Sequence, residues 1–151
     1  MNYSIEIKEI EPIRVVYMKY RGITTEANKV FPSVFKSVRG KTNGAPLFIY
    51  NSIDQQTKLG DMELCVPTEK TPMGNGIEVK ELPRIKALCT THVGSYESMN
   101  SAYFALETYA KENHIKLCLP SREIFIKGPG LILKGSPQKY ITEIQFPIKE
   151  V

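Results

Sequence analysis

The spacing of hydrophobic positions changes several times along the chain, and each change marks an element. Residues 13–20, Ile-Arg-Val-Val-Tyr-Met-Lys-Tyr, are rich in β-branched and aromatic side chains and predict a strand that ends at Gly22. Val30, Phe31, Val34, Phe35 and Val38 then recur at helical spacing. Thr24 and Thr25 are cap candidates for that helix, Glu26 lies in its first turn, and Gly40 stops it. Pro32 falls inside the run and either starts the regular part of the helix or kinks it. Asn43-Gly44 and Pro46 mark a turn, Leu47 to Tyr50 a short strand, and Asp61 to Val66 a further strand closed by Pro67. Residues 67–76 are the most linker-like in the chain.

The second half replays this order. Arg84 to Thr91 predicts a strand, with Gly94 after it and Ser95 or Ser98 as helix caps. Met99, Ala102, Tyr103, Leu106, Tyr109 and Ala110 form the clearest amphipathic stripe, with Asn113 as the left-handed residue that ends the helix. Pro120 precedes a strand over Arg122 to Lys127, Gly128-Pro129-Gly130 breaks it, and Tyr140 to Ile148 is the last strand. Landmarks recur in register: Pro12 and Pro83 lie 71 apart, Gly22 and Gly94 72, Pro46 and Pro120 74, and Glu63–Pro67 and Glu143–Pro147 80. An internal duplication accounts for all four. The expectation is a single α+β domain over 1–151. It comprises two pseudo-twofold-related β-α-β-β repeats, about 3–70 and 77–151, with antiparallel sheets. A seam between related halves is a natural place for a pocket.

Composition narrows the function classes. The chain has 151 residues, is 42% hydrophobic, and carries 20 Lys and Arg against 16 Asp and Glu, a net charge of +4. The basic residues are scattered, which gives no electrostatic footprint for nucleic acid. Three cysteines, Cys65, Cys89 and Cys118, and two histidines, His92 and His114, show no zinc spacing, so no metal or other cofactor is expected. Each cysteine has apolar neighbours and reads as a small buried hydrophobe, and reduced thiols suit the cytoplasm. No apolar run approaches a membrane span, and the N-terminus lacks a signal-peptide core. Neither Gly128-Pro129-Gly130 nor Gly74-Asn75-Gly76 leads into a phosphate-binding sequence. His92 lacks a nucleophile at a known spacing.

The informative segment is Arg122-Glu123-Ile124-Phe125-Ile126-Lys127. Side chains alternate along a strand, so Glu123 shares a face with Phe125 and Lys127, and Arg122 with the two isoleucines. If the isoleucines meet the helices, Glu123 and Phe125 point to the opposite face, toward the seam. A carboxylate beside an aromatic surface can hold an organic cation, and burial would also suit it to acid–base work. By alternation alone, a solvated glutamate on an exposed face is the more ordinary outcome. Eight tyrosines and six phenylalanines supply aromatic walls. Tyr17, Tyr20 and Tyr140 lie on predicted strands, and Tyr50 ends the strand that corresponds to the Glu123 strand. Tyr103 and Tyr109 sit on the apolar face of the helix, where packing explains them.

Gly94-Ser95-Tyr96-Glu97-Ser98, Ala102-Tyr103, Leu106, Glu123-Ile124-Phe125, Gly128-Pro129, Thr142-Glu143-Ile144 and Pro147 together resemble the GyrI-like domain, with Gly44-Ala45-Pro46 and Ile49-Tyr50-Asn51 matching in the first half. This is the effector-binding domain of some AraC- and MerR-type regulators, also found as stand-alone gyrase-inhibitor-like proteins. The resemblance covers nearly the whole chain. It implies two repeats around a central ligand groove that takes a small hydrophobic, cationic or amphipathic compound, with a buried glutamate at Glu123. Tyr50 and Tyr140 would stand near it, and Phe125, Tyr17 and Tyr96 complete the candidate ligand-binding set. The family commonly has Glu-x-Tyr where this chain has Phe125, which removes a hydroxyl. The resemblance also implies two other roles. One is hydrolysis of strained, cyclopropane-bearing compounds, with Glu123 and Tyr50 as the catalytic pair. The other is a protein partner such as gyrase or a regulator. A helix-turn-helix is not expected within these residues, and the stand-alone form is the reading adopted.

Overall fold

The computed structural model describes residues 2–128 and 136–150. Pro129 and Gly130 of the strand-breaking Gly-Pro-Gly lie outside them. In chain order the strands are β1 (Ile5–Ile10), β2 (Ile13–Ile23), β3 (Leu47–Ile53), β4 (Leu59–Pro67), β5 (Ile77–Leu82), β6 (Ile85–Val93), β7 (Ile115–Leu117), β8 (Ser121–Lys127) and β9 (Ile141–Glu150). The helices are α1 (Ala27–Val30), α2 (Pro32–Ser37) and α3 (Asn100–Glu112). The strand ladders are antiparallel, and the fold is mixed α+β.

The chain divides into two compact units. One is Glu11–Arg84, the other Met1–Ile10 together with Ile85–Val151. These bounds differ from the repeat limits of 3–70 and 77–151, because β1 pairs with β6 and β5 pairs with β2. Neither strand stands out in the sequence, since Glu and Lys interrupt their apolar positions and are depleted in strands. They are nevertheless copies: Ile5-Glu6-Ile7-Lys8-Glu9-Ile10 and Ile77-Glu78-Val79-Lys80-Glu81-Leu82 are separated by the same offset as Gly22 and Gly94. Each repeat therefore opens with a strand that completes the other repeat's sheet. Their lysines act alike: Lys8 Nζ lies 3.4 Å from Glu143 Oε1, and Lys80 pairs with Glu63.

In the Glu11–Arg84 unit, β2 is flanked by β4 and β5, and β4 pairs with β3. The helix is broken at Phe31, and Pro32 opens α2 at its first position, where its missing N–H costs no hydrogen bond. Arg39 and Gly40 take φ of 52° and 70°, and Gly40 N donates to Phe35 O at 2.9 Å, closing the helix as expected. Ala27, Val34 and Val38 are buried.

In the other unit, β6 lies between β1 and β9, and β9 also carries β8 and β7. Helix α3 packs Met99, Ala102, Leu106 and Ala110 against Leu88 and Ile144, with Tyr103 and Tyr109 at the margin. His114, not Asn113, takes the left-handed conformation after this helix, at φ 55°. Asn113 instead turns its Nδ2 back to Tyr109 O at 2.9 Å. Neither helix start uses the anticipated side-chain cap. A 3₁₀ turn leads in from the strand in each unit, Thr24–Glu26 and Tyr96–Ser98, again at the offset of the two turn glycines. Cys65 and Cys89 are buried and Cys118 is half-buried, all three as thiols.

Leu106 is fully buried in its cluster and Phe104, on the outer side of the same helix, is 69% exposed. Leu106→Ala is expected to cost about 3 kcal/mol in urea unfolding, and Phe104→Ala to stay within about 0.5 kcal/mol of the native value.

Candidate functional site

Pairing register decides which way Glu123 points. Glu123 stands opposite Ile144, and Phe125 opposite Thr142. Ile144 belongs to the cluster beneath α3. Glu123 and Phe125 therefore lie on the helix-bearing face of the sheet, while Arg122 and Ile124 lie on the other. This reverses the expectation that the isoleucines meet the helix. Apolar spacing was ambiguous here because β8 is buried on both faces: Arg122 is 3% exposed and Glu123 8%. A register shift between Phe125 and Lys127 ends simple alternation, and Ile126 is exposed.

Tyr103, on α3, donates its hydroxyl proton to Glu123 Oε2. Its ring packs edge-on against Phe146, with centroids 5.9 Å apart. The sequence placed Tyr103 in the core stripe and assigned it packing alone. It does pack, yet its tip carries a hydroxyl to a buried carboxylate, which stabilises the charged form by hydrogen bonding. The available signal was a pair of tyrosines, Tyr103 and Tyr109, within a stripe otherwise of alanine, leucine and methionine.

Phe125, Tyr96 and Tyr140 form a continuous aromatic group. Tyr96 lies 5.8 Å from Phe125 at 65° and 5.1 Å from Tyr140 at 35°. Tyr140 is 6% exposed, whereas Tyr96 is 41% exposed, so the group runs from the interior to solvent. Burial, then the neighbouring Tyr140 and the Glu123 carboxylate, push the Tyr96 phenol up to about 12. The tight approach of Tyr96 uses Gly128: a Cβ there would stand 2.7 Å from the Tyr96 hydroxyl. Four of the six sequence-predicted site residues, Glu123, Phe125, Tyr96 and Tyr140, are thus neighbours within one unit.

Tyr17 and Tyr50 belong to the Glu11–Arg84 unit and lie on opposite faces of its sheet. Tyr50, opposite Met62, shares a face with Phe48, whose ring meets Phe31 of the broken helix at 5.0 Å. Tyr17 lies on the other face, opposite Cys65, with the Lys80 ammonium 4.4 Å from its ring centroid. That ring already carries a cation from its own unit.

The duplication relates the two units residue by residue. With Glu63–Pro67 of β4 laid on Glu143–Pro147 of β9, strand pairing makes Phe48 correspond to Glu123 and Tyr50 to Phe125. With the two 3₁₀ turns superposed, Phe31 corresponds to Tyr103. One unit holds a phenylalanine pair where the other holds a tyrosine–glutamate hydrogen bond.

Residues 3–149 match the model of the GyrI-like small molecule binding domain. The chain belongs to this family. No curated protein matches it. Among solved structures, it is similar to the C-terminal domain of EcmrR, at 26% identity over 100% of both chains with a TM-score of 0.84. EcmrR in its complex with DNA gives 24% identity and a TM-score of 0.85 over 99% of this chain. The chain spans 58% of the length of EcmrR in that complex. SAV2435, solved bound to tetraphenylphosphonium, is 16% identical over 99% of this chain and 94% of its own, with a TM-score of 0.66. Among the described residues of this GyrI-like domain, no helix is long and apolar enough to cross a membrane. Nor does any group of three or more His, Cys, Asp and Glu there suit a metal ion.

The Tyr96 phenol provides a direct test of the site's electrostatics. A phenol that ionises near 10 in the unfolded chain and near 12 in the folded one lowers stability as pH rises across that interval. By tyrosine ring-carbon NMR, one residue, absent in Tyr96→Phe, should titrate near 12. Glu123→Gln should lower that midpoint, since a carboxylate opposes a phenolate. It should stay above 10, since burial is the larger cause.

Proposed function

We propose that this GyrI-like domain binds hydrophobic organic cations through Glu123, with Phe125, Tyr96 and Tyr140 as the aromatic wall. The observation that supports this most is the Tyr103–Glu123 hydrogen bond at the inner end of that aromatic group. A carboxylate removed from water attracts a cation more strongly than a surface glutamate does, because little solvent screens the pair. The hydroxyl of Tyr103 fixes one carboxylate oxygen, so the group is held in place before a ligand arrives. Rings beside it cover the apolar substituents of the cation and add attraction through their faces. Phe125 supports binding over proton transfer, because it offers a surface and no exchangeable proton. The likeness to SAV2435 supplies a probe, tetraphenylphosphonium. Such a role suits a response to drugs or toxins, alone or beside a transcription regulator in the cytoplasm, and requires no cofactor.

A second reading, hydrolysis of strained electrophiles, draws on the same hydrogen bond. Glu123 would activate water, with Tyr50 as the assisting tyrosine of the catalytic pair and Tyr103 holding the carboxylate. Incubation with cyclopropane-bearing compounds and mass spectrometry separates the two: product that disappears with Glu123→Gln supports turnover, and unchanged substrate supports binding alone. No contact among the described residues favours a gyrase-directed role.

Calorimetric titration with tetraphenylphosphonium should give saturable binding. Glu123→Gln should weaken it by about 2 kcal/mol, roughly 30-fold, as removal of one partner of a buried charge pair does. Equal affinity in both proteins would remove charge recognition from the proposal. Tyr103→Phe should weaken binding less, because the carboxylate survives.

A further inference from the structure

One fully buried titratable side chain takes no part in the site as described. His92, on β6, is 0% exposed, and both of its ring nitrogens are engaged. Nε2 lies 3.1 Å from Ser95 O and 2.9 Å from Ser98 Oγ. Nδ1 lies 2.9 Å from the Tyr3 hydroxyl, which lies 2.8 Å from Ser101 Oγ. A carbonyl oxygen only accepts, so Nε2 carries a proton toward Ser95 O, and Nδ1 is paired with the Tyr3 hydroxyl. Ser98 Oγ donates to the same Ser95 carbonyl at 2.8 Å. The imidazole thus grips both ends of the 3₁₀ turn, and the residue between them that projects into the aromatic group is Tyr96.

The first repeat shows that this brace is a built feature. Tyr20 stands to Gly22 as His92 stands to Gly94, and it donates its hydroxyl proton to Ile23 O at 2.7 Å. Ile23 is the counterpart of Ser95. In both copies the bracing side chain passes over the strand-end glycine. A Cβ at Gly22 would stand 2.8 Å from the Tyr20 hydroxyl, and one at Gly94 3.2 Å from His92 Nε2. Gly94 also takes φ 142°, which other residues rarely adopt. The copies diverge at the next residue. The position equivalent to Tyr96 in the first repeat is Thr24, so only the second brace holds an aromatic ring.

We propose that His92 is a positioning residue for ligand recognition, fixing the 3₁₀ turn so that Tyr96 stays against Phe125 and Tyr140. Tyr96 is 41% exposed, so its contacts with Phe125 and Tyr140 cover one side only, and the turn beneath it supplies the rest of its support. Tyr3, before β1, extends the brace to Ser101 at the start of α3. This inference rests on the aromatic group being the ligand site.

The test uses ring-proton NMR of Tyr96, assigned by its loss in Tyr96→Phe, together with calorimetric titration of tetraphenylphosphonium. His92→Leu keeps the volume and removes all three hydrogen bonds of the ring. It should move the Tyr96 resonances toward solvent-exposed values, leave those of Tyr103 in place, and weaken tetraphenylphosphonium about tenfold. His92→Gln, which can still donate to the Ser95 carbonyl, should restore most of both. Unchanged Tyr96 resonances in a folded His92→Leu protein would overturn the proposal, as would a shift spread equally over all tyrosines. If His92→Leu does not fold, Ser98→Ala removes one arm of the brace, and absence of a selective Tyr96 shift there overturns it equally. A native protein that binds no tetraphenylphosphonium would defeat the cation-binding reading, while the NMR comparison would still decide the role of His92.

Discussion

A carboxylate on the helix-facing side of a small sheet must find compensation inside the protein, because water cannot supply it there. The Tyr103 hydroxyl provides it for Glu123. The bond joins α3 to β8, so the helix that builds the core of this unit also fixes the Glu123 carboxylate. Packing of Leu106 and Ala110 sets where α3 lies, and hence where the Tyr103 hydroxyl ends. Core packing and the placement of Glu123 are coupled through that one helix. The other unit needs no such arrangement, because its equivalent positions are Phe31 and Phe48, which meet as two rings.

The duplication thus separates the features shared by both units from those present in one. Strand order, the 3₁₀ entry to each helix, the brace behind the glycine and the lysine–glutamate pair recur in both units. These hold a β-α-β-β module together wherever it occurs. The features present once are Glu123, Tyr103 and the ring at Tyr96, and all three lie in one unit. After duplication, the second copy carries a tyrosine and a glutamate, Tyr103 and Glu123, where the first carries Phe31 and Phe48.

Much of this was legible in the residues. Turn glycines and prolines in matching order disclosed the repeat, and helical spacing located α3 and its buried face. The family resemblance directed attention to Glu123. The features that escaped were set by pairing, not by local preference. β1 and β5 carry three charges each in six residues and form strands because β6 and β2 supply partners. The face occupied by Glu123 depends on its register with Ile144, which no alternation within β8 can reveal. Tyr103 was hidden for another reason: a tyrosine that packs its ring and donates its proton looks, in sequence, the same as one that only packs.

The crossed pairing of β1 and β5 bears on how such a chain can have originated. Each repeat begins with a strand that its own sheet does not use, and lacks the strand that its sheet requires. A polypeptide holding one repeat alone would expose an unpaired strand and an incomplete sheet edge, a combination that promotes self-association. Two copies exchanging those strands would satisfy both needs at once. Joining the copies in one gene preserves that exchange within a single molecule. It also frees each half to change independently, which a symmetric pair of identical subunits could not do.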